Sequence, residues 1–448
     1  MKKLIYTLLA FATVCFSCVQ DVDDVYDKPV AQRVEEAVQE YHDLLVSSEH
    51  GWLMEYYPHS SQIYGGFNYI MKFKGGDKVT ISTDAFGKPE ETEESLFSIK
   101  KDIGPTLNFD TYNSLFHYFS DSDISGGAGT GKGYEGDYEF LLRSHTENEI
   151  VLRGKKTKNI IRMTRLAEDA TPYLAAAIRV DEEMNRLEGV LGFSGMMNGK
   201  ELALLYTDSH TFNVVYDGQE TSTSFMPTAT GIQFYLPVEV GGKELHRFTW
   251  SAANETLVAE NAPDVVLKVD YDPEYIIYAQ YLGKYTMNYR RGENTPVLSL
   301  EIELVKKEDM KSYTIKGMLP IDLTMIYNKA ERRMELLNQK LTDGSEAYLS
   351  IWMVNPGSLT YGGTDFVNGM YGKLKEGSDN EYEFVDDGRK ADFVTRGMIL
   401  WARRVNIRLM PNLVLHLSLL LNMNKKRNDY EKNIFYITLC AMLVGCWL

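Results

Sequence analysis

The 448-residue sequence contains only four cysteines, and none of them lies between Cys18 and Cys440. That long stretch therefore has no disulfide framework, no thiolate metal site and no cysteine nucleophile. Its fold must be held by an apolar core instead. The length suggests about two or three domains of roughly 150 residues each.

Common catalytic and metal-binding signatures are missing as well. The eight histidines are scattered and form no His-Glu-x-x-His pair, and no Gly-x-Ser-x-Gly elbow occurs. The 63 acidic residues are too many for any one pair to stand out as a glycosidase dyad. We predict no catalytic residue, no metal site and no cofactor, so an enzyme is the less favoured class.

Positive charge is scarce. The formal net charge is −16, and because phosphate neutralisation needs a basic face, no nucleic-acid partner is expected. Tyrosine, by contrast, is abundant, with 29 residues. Tyrosine-rich strands are typical of an exported β protein, and strand propensity alone accounts for them.

The first residues predict export through the Sec pathway. A positive start, Met1–Lys3, precedes an apolar run over residues 4–16 that is too short to span a bilayer. Ser17 and Cys18 are similar to a bacterial lipobox, although Cys15 and Phe16 depart from its usual residues. We predict a signal peptide over residues 1–17, lipidation (palmitate) at Cys18, and an acidic tether over residues 18–28.

The pattern of apolar residues then predicts a mainly β fold with a few helices. An amphipathic helix begins after Pro29, and from Trp52 the apolar period changes from helical spacing to strict alternation. Antiparallel barrel- or sandwich-like β units follow, since closure removes free strand edges. Short helices are predicted over residues 110–119, 167–187 and 275–282. The predicted domains are residues 29–166, 167–271 and 272–390, each a helix or turn followed by strands.

Several strings resemble a known family. They are HGWLMEYYP, YGGFNYIMKF, VTISTD, LNFDTYNSLFHYFSD, GYEGDYEFLL and GKKTKNIIRMTRL. They are similar to the Bacteroidetes lipoproteins catalogued as domain of unknown function 4302, over roughly Asp27 to the 380s. The resemblance implies an outer-membrane or cell-surface lipoprotein in a lineage that often pairs such proteins with nutrient-uptake systems. It implies no activity.

Two loop motifs are weighed against simpler interpretations. Residues 126–132 match the glycines and lysine of a P-loop, but Gly133 replaces the required Ser or Thr and a strand follows. Asp121 and Asp123 match the start of an EF-hand loop, but Lys132 stands where a bidentate Glu is needed. Both stretches are predicted to be polar surface loops.

Aromatic residues near the first strands supply a candidate ligand site. Trp52, Tyr56, Tyr64 and Tyr69, with Tyr57, could form a sugar-stacking platform. Strand alternation would place about half of them in the core instead.

The carboxyl-terminal tail differs from the rest of the acidic chain. From Arg396 onward it has eight basic and only two acidic residues, and strand alternation stops. A positive start at Lys432 and an apolar run lead to Leu443–Cys446, a better lipobox than the first. We hypothesise that residues 391–448 are a frameshift or read-through product. The alternative is a hydrophobic C-terminal helix packed on the body.

The leading functional hypothesis is an envelope-anchored binding or accessory protein. It would be held to the membrane through a lipid, capture a glycan or peptide, and work beside an outer-membrane uptake complex. A hydrolase acting on exported polymers is the second class, and a structural or adhesive surface protein is the third. Close carboxylates in a concave pocket would favour the enzyme. An exposed aromatic strip would favour binding.

Overall fold

The computed structural model describes residues 29–124, 127–129, 131–208, 210–290, 295–318, 322–340, 347–354, 369–378, 381–389, 394–402, 415–418, 421–425, 436–440 and 442–443. The predicted signal peptide, Cys18 and the tether lie outside the described residues. The chain divides into two compact units. The first comprises Met1–Glu182 and Gly192–Lys268, and the second comprises Glu183–Leu191 and Val269–Leu448.

The first unit begins with helix α1, Val30–Val46, as predicted. Its apolar stripe is buried against the first barrel, with Tyr41 and Leu45 in the barrel's apolar cluster. The indole Nε1 of Trp52 donates a hydrogen bond to the Leu45 carbonyl (3.0 Å). This bond ties the end of the helix to the first strand.

The first barrel is closed by eight sequential antiparallel strands, with β1 pairing with both β2 and β8. The strands are β1 Trp52–Tyr56, β2 Phe67–Lys74, β3 Lys78–Thr83, β4 Glu93–Lys101, β5 Pro105–Phe109, β6 Glu139–His145, β7 Glu149–Gly154 and β8 Ile160–Arg165. Helix α2, Ser114–His117, lies between β5 and β6. It is shorter than the predicted helix over residues 110–119, and it begins later because the Asn113 side chain caps it by accepting from the Leu115 and Phe116 amides.

The second barrel follows helix α3, Thr171–Arg186. Its strands are β9 Val190–Met197, β10 Lys200–Asp208, β11 Thr211–Tyr216, β12 Gln219–Pro227, β13 Gly231–Val240, β14 Lys243–Ser251, β15 Thr256–Ala259 and β16 Ala262–Tyr271. Pairing of β9 with β16 closes it. Its core is aromatic, with Phe193, Phe212, Phe234 and Phe248 all fully buried. The alternation pattern had not predicted β9 or β16.

The third barrel lies in the second unit, after a 3₁₀ helix at Tyr278–Tyr281. Its strands are β17 Gly283–Arg290, β18 Leu298–Glu308, β19 Ser312–Lys316, β20 Leu323–Asn328, β21 Arg333–Leu337, β24 Gly369–Leu374, β25 Glu381–Asp386, β28 Leu421–Lys425 and β29 Tyr436–Cys440. A separate sheet contains β22 Gln339–Lys340, β23 Ala347–Val354, β26 Val394–Ala402, β27 Leu415–Ser418 and β30 Met442–Leu443.

Tyrosines fill much of the third barrel. Six of them belong to its buried cluster: Tyr278, Tyr281, Tyr285, Tyr313, Tyr327 and Tyr382. Glu188 accepts hydrogen bonds from the Tyr327 hydroxyl (2.6 Å) and the Tyr278 amide (2.6 Å). These six tyrosines are therefore structural.

The predicted mainly β class with antiparallel barrels and few helices is confirmed. Although the alternating pattern stops after Arg396, the described stretches of the tail form strands β27 to β30, which pair with one another or with earlier strands. A packed C-terminal helix does not occur in those stretches. No helix within the described ranges is both long and apolar enough to cross a membrane.

Candidate functional site

Four partly exposed aromatic rings line up at one end of the first barrel. The Phe86 and Tyr118 rings meet edge to face with their centroids 5.0 Å apart, and the Tyr134 and Tyr64 rings also meet edge to face at 5.0 Å. The Tyr118 and Tyr134 rings are stacked, with centroids 5.5 Å apart and an angle of 27° between their planes. We call Phe86, Tyr118, Tyr134 and Tyr64 the aromatic row. Each partly exposed ring can stack against the apolar face of a ligand.

The row is built from loops rather than strands. Tyr64 lies between β1 and β2, Phe86 between β3 and β4, and Tyr118 and Tyr134 between β5 and β6. All three connections leave the barrel at the same end. Beneath the row, Phe119 is buried and contacts Tyr134, with ring centroids 5.5 Å apart. The row is thus supported by the barrel core, and ligand residues on loops of a rigid scaffold are a common arrangement.

The Tyr64 end of the row is closed by His59 and Glu135. The His59 and Tyr64 rings meet edge to face at 5.8 Å, and His59 Nε2 lies 3.3 Å from Glu135 Oε2. His59, Gln62 and Glu135 have φ values of 64°, 51° and 56°, in the left-handed region that non-glycine residues rarely adopt. Strained residues of this kind cluster at functional sites.

Negative charge surrounds this end of the row. Burial raises the pKa of the Tyr64 hydroxyl, and the nearby Glu135, Tyr134 and Asp208 raise it further. Tyr64 therefore stays a neutral phenol that can donate or accept a hydrogen bond. A ligand with hydroxyl groups fits this setting better than an anionic one.

A half-buried group of two carboxylates and an imidazole, formed by Asp84, Asp181 and His210, lies next to the row, between the two barrels of the first unit. Phe67 connects them, with its ring 4.5 Å from Phe119 and 6.3 Å from His210 between centroids. His210 Nε2 lies 2.9 Å from Asp181 Oδ1. Asp84 accepts hydrogen bonds from the Asn68 amide (2.9 Å) and the Asn68 side chain.

The carboxyl of Asp84 is the group whose protonation is most altered here. Burial raises its pKa to about 7, hydrogen bonds from Asn68 oppose the rise, and the charge of Asp181 adds to it. The Asp84 carboxyl is therefore partly protonated at a pH near 7. A carboxyl with a pKa near 7 can serve as a general acid, but both of its oxygens already accept from Asn68.

The structure corrects most of the predicted platform. Trp52, Tyr56 and Tyr69 are fully buried in the first barrel, so no ligand can stack on them. Alternation along β1 and β2 turns these side chains inward, and the Tyr56 and Tyr69 hydroxyls donate to the Asp137 and Leu115 carbonyls. Of the four, Tyr64 alone joins the aromatic row, because it lies in a loop.

Sequence reasoning missed His59, Phe86, Tyr118 and Tyr134. A usable signal was present: aromatic residues within glycine- and aspartate-rich loops, as in Tyr64-Gly-Gly and Gly133-Tyr134-Glu-Gly. Such residues lie outside the strands and escape burial by alternation.

The described residues of the P-loop-like and EF-hand-like stretches form neither a phosphate-binding nor a calcium-binding geometry. Within residues 127–129 and 131–138 the chain forms turns that lead into β6, without the helix that a P-loop requires. Asp121 accepts from the Asp123 amide (2.9 Å), which closes a local turn. Among the described residues, no group of three or more His, Cys, Asp or Glu side chains could hold a metal ion.

The fold and site define a class: a chain of successive antiparallel barrels whose first barrel presents an aromatic row on its loops. The family model described as a domain of unknown function (DUF4302) matches residues 22–252, more than half of the chain, so the chain belongs to that family. A second model, DUF4987, also described as a domain of unknown function, matches residues 259–401. No curated protein and no solved structure matches the chain significantly.

These matches correct the extent of the predicted resemblance. The first family ends at residue 252 rather than in the 380s, and a different family covers the third barrel. The second match also continues to residue 401, beyond the point near 390 where we placed the start of an atypical tail. Whether the remaining tail is a read-through product stays a prediction.

Proposed function

We propose that this protein is a glycan-binding accessory protein of the cell envelope. The observation that supports the proposal is the aromatic row, in which four partly exposed rings follow one another at 5.0–5.5 Å. Sugar rings have flat apolar faces that stack on such rings, and the neutral Tyr64 hydroxyl and the Glu135 carboxylate can bond sugar hydroxyls.

A glycan array followed by calorimetric titration of the strongest hit tests this proposal. Replacing Tyr134 or Tyr64 with alanine should weaken binding about tenfold, equivalent to ~1.4 kcal/mol per lost stacking ring. Tyr112→Ala is the matched control, since this tyrosine is 61% exposed and stacks on His117, outside the row. Capture of peptides instead of glycans, or equal losses in Tyr112→Ala, would contradict the proposal.

A hydrolase remains the second candidate because of Asp84. Burial raises the pKa of Asp84 to about 7, and the negative charge of Asp181 contributes to this rise. A carboxylic acid with a raised pKa beside a second carboxylate is the arrangement in which one of the two donates a proton. The same array hit should be incubated with the protein and assayed for new reducing ends. Release of reducing ends that disappears in Asp84→Asn would favour the enzyme over the binding protein.

We further propose anchoring through Cys18 in the outer membrane, as a Bacteroidetes-type lipoprotein beside a nutrient-uptake complex. The support is in the sequence: an apolar run after Lys3, the Ser17–Cys18 pair, and the acidic residues that follow. Intact-mass analysis of membrane-extracted protein should show a diacyl or triacyl modification at Cys18. The Cys18→Ser variant should appear in the soluble fraction, and unmodified Cys18 in the membrane fraction would overturn this part.

A further inference from the structure

The loop of residues 57–66, which carries His59 and Tyr64, is held from both barrels of the first unit. From the first barrel, the Asn159 side chain donates to the carbonyls of Tyr57 (2.9 Å) and His59 (2.8 Å). From the second barrel, the Ser224 hydroxyl donates to the Gln62 carbonyl (2.8 Å). These hydrogen bonds from both barrels therefore restrict the conformation of the loop.

The end of this loop lies directly against the second barrel. The Gly66 amide donates to the Phe225 carbonyl at 3.0 Å. Gly65 has φ +71°, and a Cβ added there would lie 2.2 Å from His210 Cβ and 2.8 Å from the Phe225 carbonyl oxygen. The close approach at Gly65 needs a residue without a side chain, and with the Gly66 hydrogen bond it fixes the position of the loop directly after Tyr64.

We propose that the second barrel is a positioning element of the aromatic row, and that Gly65 and Ser224 are its positioning residues. They hold the loop so that the Tyr64 ring meets Tyr134 at 5.0 Å and closes the row. The relevance for ligand binding rests on the proposed function. The first family match, which runs from residue 22 to residue 252, spans both barrels and is consistent with one functional unit.

The positioning itself can be tested without any ligand. In Ser224→Ala, amide hydrogen exchange across residues 57–66 should accelerate about tenfold while exchange in β10 and β11 is unchanged. The ¹³C-tyrosine NMR signals of Tyr64 and Tyr134, assigned with single Phe variants, should shift together. Thr223→Ala is the matched control, because its hydroxyl bonds the Ser224 carbonyl (3.3 Å) rather than the loop. Equal exchange in the two variants would overturn the proposal.

A second pair of variants distinguishes displacement of the loop from the backbone strain of an alanine at positive φ. Gly65→Ala and Gly76→Ala both place alanine at a positive φ, +71° and +74°, but the space around Gly76 is open. With cellohexaose as the probe, Gly65→Ala should lose at least tenfold in affinity relative to Gly76→Ala at matched thermal stability. Equal affinities would overturn the positioning role.

The ligand-free measurements and the affinity measurements test the positioning and the proposed function separately. If cellohexaose and the array glycans fail to bind the unmodified protein, the proposed function fails while the exchange and NMR measurements still decide the positioning. If glycans bind but the loop is unchanged in Ser224→Ala, the positioning fails and the function stands.

Discussion

His59 Nε2 lies 3.3 Å from Glu135 Oε2, and this contact joins two loops that are 76 positions apart in the chain. Both residues hold a left-handed backbone conformation, with φ values of 64° and 56°. Such a conformation costs a non-glycine residue about 1 kcal/mol or more, so it persists only where the surroundings impose it. The strain lies beside the Tyr64–Tyr134 ring contact of the proposed glycan site.

Glu135→Gly should separate stability from binding. Glycine adopts a positive φ without strain, so the gain offsets the loss of the His59 contact and the free energy of unfolding should stay within about 1 kcal/mol. Glycan affinity should fall, since a carboxylate beside Tyr64 is lost. Urea denaturation and calorimetric titration check this. Asp217→Gly, with φ 51° in an exposed turn, is the control and should leave binding unchanged. Unchanged affinity in Glu135→Gly would count against a ligand role for this end of the row.

Two neighbouring tyrosines of β1 and its loop should respond oppositely to removal of the hydroxyl. The Tyr56 hydroxyl donates to the Asp137 carbonyl (3.0 Å), whereas the buried Tyr57 hydroxyl has no hydrogen-bond partner among the described residues. Tyr56→Phe should therefore lower the free energy of unfolding by about 1 kcal/mol, while Tyr57→Phe should be neutral or stabilising by about 1 kcal/mol. Chemical denaturation of the two variants measures the difference. A loss in Tyr57→Phe as large as that in Tyr56→Phe would show that the Tyr57 hydroxyl is satisfied in solution.

Asp84 should make the protein less stable as the pH rises towards neutrality. Burial raises its pKa to about 7, whereas an unfolded aspartate has a pKa of ~3.9. Between these values the folded state binds one proton more than the unfolded state, so stability decreases with pH by up to about 1.4 kcal/mol per unit. The contribution is fully present below pH ~4 and is lost as the pH passes about 7.

The measurement is the free energy of unfolding at pH 5 and at pH 7. Asp84→Asn cannot ionise, so the decrease between the two values should be smaller in this variant than in the unmodified protein. Asp264→Asn, at an exposed carboxylate paired with Lys243 (2.8 Å), is the control and should keep the full decrease. The same decrease in all three proteins would place the titration elsewhere.

Strand alternation was enough to predict most of the first barrel, because each strand buries every second side chain and the hairpins are short. It failed at β9 and β16, the two strands that close the second barrel. Gly192 and Gly195 interrupt the apolar pattern of β9, yet added Cβ atoms there would lie 2.1 Å and 2.2 Å from the carbonyls of Leu204 and Val266. These glycines permit close approach of neighbouring strands. In the sequence alone, the same glycines interrupt the alternation and so indicate the end of a strand.

By itself, the sequence determined the secondary structure of the first barrel and helix α1, because alternation and helical spacing are local properties of the chain. It could not decide which tyrosines face solvent. Tyr56 and Tyr64 are eight positions apart and chemically identical, yet one fills the barrel core and the other lies in the aromatic row. Closure of the barrel through the β1–β8 pairing encloses the inward face of β1, where Tyr56 lies. The sequential antiparallel order of the strands brings the loops carrying Tyr64, Phe86, Tyr118 and Tyr134 to one end.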